Sequence, residues 1–89
     1  MAEIIHIGNM IQERLQQQGR SVTWLSQQLN ITRATCYRIF SNYSIDTMML
    51  IRISRLLDCN FFAIYADMIN TMLHENQNQV KPQNFVAQI

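Results

Sequence analysis

The chain has 89 residues, 48% of them hydrophobic and 15% charged, an ordinary balance for one globular domain that excludes full-length disorder. Its formal net charge of +1 gives little overall attraction for nucleic acid, and no apolar run approaches the ~20 residues that cross a bilayer. The opening MAEIIHIGNM lacks the basic n-region and small-residue cleavage site of a secretory signal, so the expectation is a cytoplasmic protein with no membrane partner.

Ile7, Ile11 and Leu15, with Met10 beside them, predict a first helix from about Ile5 to Gln18, ended by Gly19. His6 reads as a surface residue of that helix. Ser21 is placed to cap a second helix, Val22 to Leu29. Asn30 tolerates a left-handed backbone in the connection, and Thr32 caps a third helix of about Arg33 to Phe40. Across SVTWLSQQLNITRATCYRIF, the residues Leu25, Leu29, Ile31, Cys36 and Ile39 fall at offsets of four, two, five and three. The first and last pairs are helical steps, whereas Ile31 breaks the rhythm where the chain must reverse. Two short helices at a sharp angle thus offer apolar faces to one core, with small Ser26 at their closest approach. That is the pattern of a helix-turn-helix, and it points to duplex DNA.

Asn42 is expected to release the chain through a tight, left-handed turn. Asp46 is an oxygen cap and dipole partner for a fourth helix, Thr47 to Leu57, with Leu50, Ile53 and Leu57 inward. After the break Asp58-Cys59-Asn60, Asn60 caps a fifth helix ending near Leu73. The class is therefore all-α, with one domain over residues 1–73 and a polar tail over residues 74–89, HENQNQVKPQNFVAQI. Pro82, the only proline, argues against continuous helix there. A flexible tail is expected, with Phe85, Val86 and Ile89 its only residues suited to docking.

Charge is unevenly distributed. Residues 20–55 hold five arginines (20, 33, 38, 52 and 55) against Asp46 alone, while the remainder has Arg14 and Lys81 against five acids. Positive potential therefore sits on the helix-turn-helix segment, although a solvated surface that is basic by chance gives the same count. Cys36 and Cys59 form no CxxC and have no histidine pattern nearby, so both read as buried thiols. No metal, cofactor or small-molecule ligand is expected.

Order and spacing resemble the lambda repressor and Cro type of DNA-binding domain, the XRE family, over roughly Ile5 to Met72. The likeness is carried by SVTWLSQQLNITRATCYRIFSN and by SIDTMMLIRISRLLDCNFF. It implies a five-helix lambda repressor-like domain and a sequence-specific regulator of transcription that binds double-stranded DNA. The family often has a phosphate-binding glutamine where this chain has Val22, a contact that Ser21, Arg20 and backbone amides are placed to replace. The family's turn glycine is Asn30, and its glycine after the recognition helix is Asn42. Its common glutamate is Phe40, read as packing toward the fourth helix. The resemblance also puts Arg38 at a base-reading position.

A major groove about 12 Å wide admits one helix, whose N-terminal side chains reach base edges. With Cys36 and Ile39 inward, Arg33, Ala34, Tyr37 and Arg38 lie elsewhere on the third helix. Arg33 is the first candidate for a base contact and Arg38, about 140° further round, the second, reading a flanking base or clamping a phosphate. Ala34 suits a thymine methyl. Arg20, Ser21, Thr32, Thr35 and Tyr37 suit phosphate oxygens, as do Asn42, Tyr43 and Ser44 beyond the helix. Plainer roles stand beside these: solubilising charge for Arg33 and Arg38, ring packing for Tyr37, and ordinary turn chemistry for residues 42–44. Arg52 and Arg55 read as outer-face charges of the fourth helix. Trp24 reads as a cover for the core edge, with a partner surface or the DNA backbone as alternatives.

On the fifth helix, Phe61, Ile64, Met68 and Met72 form one stripe, enough to cover the core. Phe62, Tyr65, Ile69 and Leu73 form a second, about 100° round, which stays exposed unless a partner buries it. A two-fold homodimer through this helix is expected, with recognition helices about 34 Å apart, against the alternative of a simply well-buried last helix. Two other functions compete with DNA binding. An enzyme is disfavoured, since His6 and His74 lie at opposite ends and no HExxH, nucleophile elbow or phosphate loop occurs. A protein-interaction module that keeps the fold is favoured slightly by the low net charge, Val22 and the apolar last helix.

Overall fold

The computed structural model describes residues 4–75; the tail residues Pro82, Phe85, Val86 and Ile89 lie outside that range. The order is α1 (Ile7–Gln17), α2 (Val22–Leu29), α3 (Arg33–Ser41), α4 (Thr47–Leu57) and α5 (Phe62–Glu75). Among the described residues there is no strand, and no helix is long and apolar enough to cross a membrane. The class is all-α, as the apolar spacing predicts.

Short oxygen-bearing side chains set three of the helix starts. Ser21, Thr32 and Asp46 accept from the amides of Trp24, Thr35 and Met49 at 2.9, 3.0 and 2.9 Å. Asn60 Oδ1 accepts from the amide of Phe62 at 3.1 Å. α1 begins two residues later than predicted because His6 is its cap: Nδ1 accepts from the amide of Asn9 at 3.1 Å. His6 is thus a structural terminus and not a bystander on the helix surface. α5 runs on through His74 and Glu75, past the expected stop at Leu73.

Helices α1, α2 and α4 end by one device. Gly19, Asn30 and Asp58 take φ values of 69°, 59° and 52°. The next amide in each case, from Arg20, Ile31 or Cys59, then reaches back to Leu15, Ser26 or Ser54 at 3.1, 3.0 and 3.0 Å. α3 ends differently, and here the expectation for Asn42 fails. Its backbone is extended, with φ −95° and ψ 144°. That turns the carbonyls of Asn42 and Tyr43 toward the start of α1, where the amides of Gly8 and Ile7 donate to them at 3.1 and 3.4 Å. Gly8 is buried, and a Cβ there would run into the carbonyl oxygens of Ile39 and Phe40. Two open N–H groups of α1 are therefore satisfied by the residues that follow α3, across a gap only glycine leaves.

Ile7, Ile11, Leu15, Leu25, Leu29, Cys36, Phe40, Leu50, Ile53, Leu57 and Phe61 make the core. Phe40 is the buried partner of Cys36 one turn on, whereas Ile39, expected inward, is half-buried. Burial pushes the Cys36 thiol above its ordinary pKa by desolvation. Cys59 is only half-buried, against the expectation of two buried thiols, and both cysteines are free. Two side chains tie helix ends together. Gln18 Nε2 donates to the carbonyl of Leu57 at 2.6 Å, and Arg52 Nη2 to that of Leu29 at 2.9 Å.

The exposure of α5 divides along its length and not around it. Phe61 is buried, and Phe62, Ile64 and Tyr65 pack half-buried against the core, so members of both expected stripes are covered. Further on, Ile69, Met72 and Leu73 are 48%, 41% and 36% exposed.

Gly8→Ala tests the α1–α3 contact. In an open helix this change stabilises by up to about 1 kcal/mol; here the clash with two carbonyls is expected to destabilise by roughly 1–3 kcal/mol in urea unfolding. A more stable variant would contradict the close approach.

Candidate nucleic-acid interface

The candidate surface starts from the inward face of α3. Cys36 and Phe40, one turn apart, consume that face, so Arg33, Ala34, Tyr37, Arg38 and Ser41 are turned out and exposed. Thr32 caps the N-terminal end, the end at which the helix dipole is positive. Arg33 occupies the first helical position and Ala34 the second. Tyr37 is 50% exposed, and its ring meets the edge of Phe40 at 5.9 Å between centroids in a T-shaped contact. The ring thus packs on a residue of its own helix and not on a neighbouring one, and half of the residue stays open to solvent.

Three of the expected site residues are joined. Arg38 Nη2 donates to Thr35 Oγ1 at 3.1 Å, and Thr35 Oγ1 lies 2.9 Å from Thr32 Oγ1. Thr35 is half-buried, while Thr32 and Arg38 are exposed. The signal was present in the sequence as the spacing Thr32, Thr35, Arg38, each three residues from the next.

The start of α2 carries a second grouping. The guanidinium of Arg20 lies 4.0 Å from the centre of the Trp24 ring, and its Nε donates to Gln18 Oε1 at 3.2 Å. Trp24 is half-buried against the core. It covers the core edge, as expected, and also supplies the platform that holds Arg20. Their four-residue spacing would have revealed the pair. Ser21 is exposed and already accepts the Trp24 amide; Ser26 is buried, its hydroxyl donating to the carbonyl of Thr23 at 2.9 Å.

Beyond α3, Asn42, Tyr43 and Ser44 are exposed. The Tyr43 ring leans on the His6 ring with centroids 4.1 Å apart. This contact between the entry to α1 and the segment after α3 had no short-range signature. Arg52, by contrast, is engaged with the end of α2 and is not the plain outer-face charge expected of it.

The expected dimer residues do not form one face of equal exposure. Phe62 and Tyr65 line an apolar groove of about 350 Å³ with Ser44, Ile45, Thr47 and Leu50. Burial raises the Tyr65 hydroxyl above its ordinary pKa. Ile69 and Leu73 lie further along, on the exposed part of α5. Among the described residues no group of three or more His, Cys, Asp or Glu is placed to hold a metal ion.

The model of a known family described as helix-turn-helix matches residues 11–64, from the middle of α1 into α5. No curated protein matches the chain, and no solved structure matches it.

Arg52→Met tests the structural role of that arginine. Loss of the bond to the Leu29 carbonyl is expected to lower stability by about 1 kcal/mol in urea unfolding. Parental stability in this variant would return Arg52 to the solvated face.

Proposed function

The chain belongs to the helix-turn-helix family of the lambda repressor and Cro type, and from that premise we propose a sequence-specific, non-enzymatic regulator of transcription that reads duplex DNA with α3. One observation carries this reading: the outward flank of α3 is uncovered along its length, from Arg33 through Ala34, Tyr37 and Arg38 to Ser41. A helix of about 10–12 Å diameter fits a major groove of about 12 Å.

In this reading Arg33 presents its guanidinium at the leading end of α3. Two parallel N–H groups matched to guanine O6 and N7 contribute roughly 1–3 kcal/mol of discrimination. Ala34 contacts a thymine methyl, and Arg38 reads a flanking base. Phosphates are held by Ser21, by Arg20 on its Trp24 platform, by Thr32, Thr35 and Tyr37, and by Asn42, Tyr43 and Ser44 beyond the helix. Backbone amides at the starts of α2 and α3 add their positive dipole ends. The work is done by preformed caps and stacked rings, so little ordering remains for the binding step.

Two copies act together in the cytoplasm. The exposed apolar residues Ile69 and Leu73, continuous along α5 with half-buried Phe62 and Tyr65, support a homodimer through this helix. A two-fold pair presents two copies of α3 to successive major grooves about 34 Å apart, which calls for a pseudo-palindromic site.

Binding to a selected duplex should weaken steeply as salt rises, because each neutralised phosphate adds about −0.9 to the log–log slope. Arg33→Ala is expected to relax preference at one base pair, and Tyr43→Phe to weaken all sequences by a similar factor. If both variants bind every duplex as the parent does, the site is wrong. Sedimentation should give a dimer that Ile69→Glu converts to monomer; a parent that is monomeric at high concentration contradicts the α5 interface.

A further inference from the structure

The outward face of α3 holds a contact that DNA binding alone does not explain. We propose that Thr35 is a positioning residue: its hydroxyl fixes the Arg38 guanidinium before DNA arrives and so sets the preference for the base that Arg38 reads. The inference rests on the DNA-binding reading of α3 and changes the role of Thr35 within it.

An arginine on a helix surface has several rotatable bonds, and freezing them on a ligand opposes binding. In this chain the guanidinium already has a partner on its own helix. Arg38 Nη2 donates to Thr35 Oγ1 at 3.1 Å, and that oxygen lies 2.9 Å from Thr32 Oγ1. Thr32 is in turn held by the amide of Thr35 at 3.0 Å, the cap that starts the helix. Thr35 is half-buried and β-branched, so its oxygen is a stiff anchor.

Donor arithmetic supports the assignment. Whichever threonine donates within the pair, Thr35 Oγ1 keeps a lone pair for Arg38. Arg38 spends one N–H of Nη2 on that anchor. The other N–H of Nη2 and those of Nη1 remain for a bidentate contact with guanine O6 and N7. Phosphate oxygens only accept: a Thr35 hydroxyl that donates to Thr32 has no proton left for the DNA backbone, whereas one that accepts from Thr32 keeps its proton, and in both cases the bond from Arg38 is retained.

Thr35→Val keeps the shape of the side chain and the backbone cap but removes the oxygen; Thr35→Ser keeps the hydroxyl. In the DNA-free protein, the NMR order parameter of the Arg38 guanidinium should fall in Thr35→Val and be retained in Thr35→Ser. Against single-base variants of a duplex selected by the parent from a random pool, Thr35→Val should lose roughly two- to tenfold in discrimination. The loss should fall at the base pair that Arg38→Ala affects, and Thr35→Val should add nothing in an Arg38→Ala background. Uniform weakening on all duplexes, with or without Arg38, would overturn the proposal and make Thr35 a phosphate contact. An unchanged Arg38 order parameter in Thr35→Val overturns the anchoring alone. A parent that retains no duplex overturns the DNA-binding reading and, with it, the base preference.

Discussion

The start of α1 and the end of α3 meet backbone to backbone, and the rest of the architecture depends on that junction. The leading N–H groups of α1 have no acceptor within their own helix, and the chain just beyond α3 supplies two. Bringing Gly8 against Ile39 and Phe40 lets the amides of Ile7 and Gly8 use the carbonyls of Tyr43 and Asn42. The His6 and Tyr43 rings close over the same junction. A side chain at position 8 would hold the two helices apart, and the inward face of α3 would lose its seat on α1.

That junction has a directional consequence. With α3 held at its C-terminal end by α1 and along its inward face by Cys36 and Phe40, only its outward flank and N-terminal end remain open. Gln18 and Arg52 perform related work elsewhere, each tying a carbonyl at one helix end to a neighbouring helix. A small core is thus stiffened by polar ties at helix termini, and the face offered to solvent is fixed relative to the start of α2.

Local chemistry was legible in the sequence. The ranges of α2 and α4 follow from Ser21, Asp46 and the apolar steps between Leu25 and Leu29 and between Leu50 and Leu57. The left-handed turn at Asn30 follows from the tolerance of asparagine for that backbone. What was not legible depends on partners distant in the chain or, for His6, on the exact residue at which a helix begins. Asn42 looked like a second left-handed turn, but the demand of α1 for acceptors pulls it into an extended form. His6 looked like a surface residue because its capping role depends on where α1 begins. Arg52 looked solvated because its partner, the Leu29 carbonyl, lies 23 residues earlier. Within the candidate site, the exposure of Arg33, Ala34 and Arg38 follows from helical periodicity once Cys36 is turned in. The Thr32–Thr35–Arg38 chain and the Arg20–Trp24 stack also had readable spacings, though side-chain types alone assigned those residues separately to DNA.

The open flank of α3 and the capped start of α2 are both exposed, and DNA is their proposed occupant. An NMR titration of the labelled chain with a duplex recovered from a random pool tests this most directly. Signals of Ser21, Arg33, Ala34, Arg38 and Tyr43 are expected to shift together at low salt while the outer face of α1 stays still. Shifts confined to α5, with α3 unmoved at saturation, would contradict it.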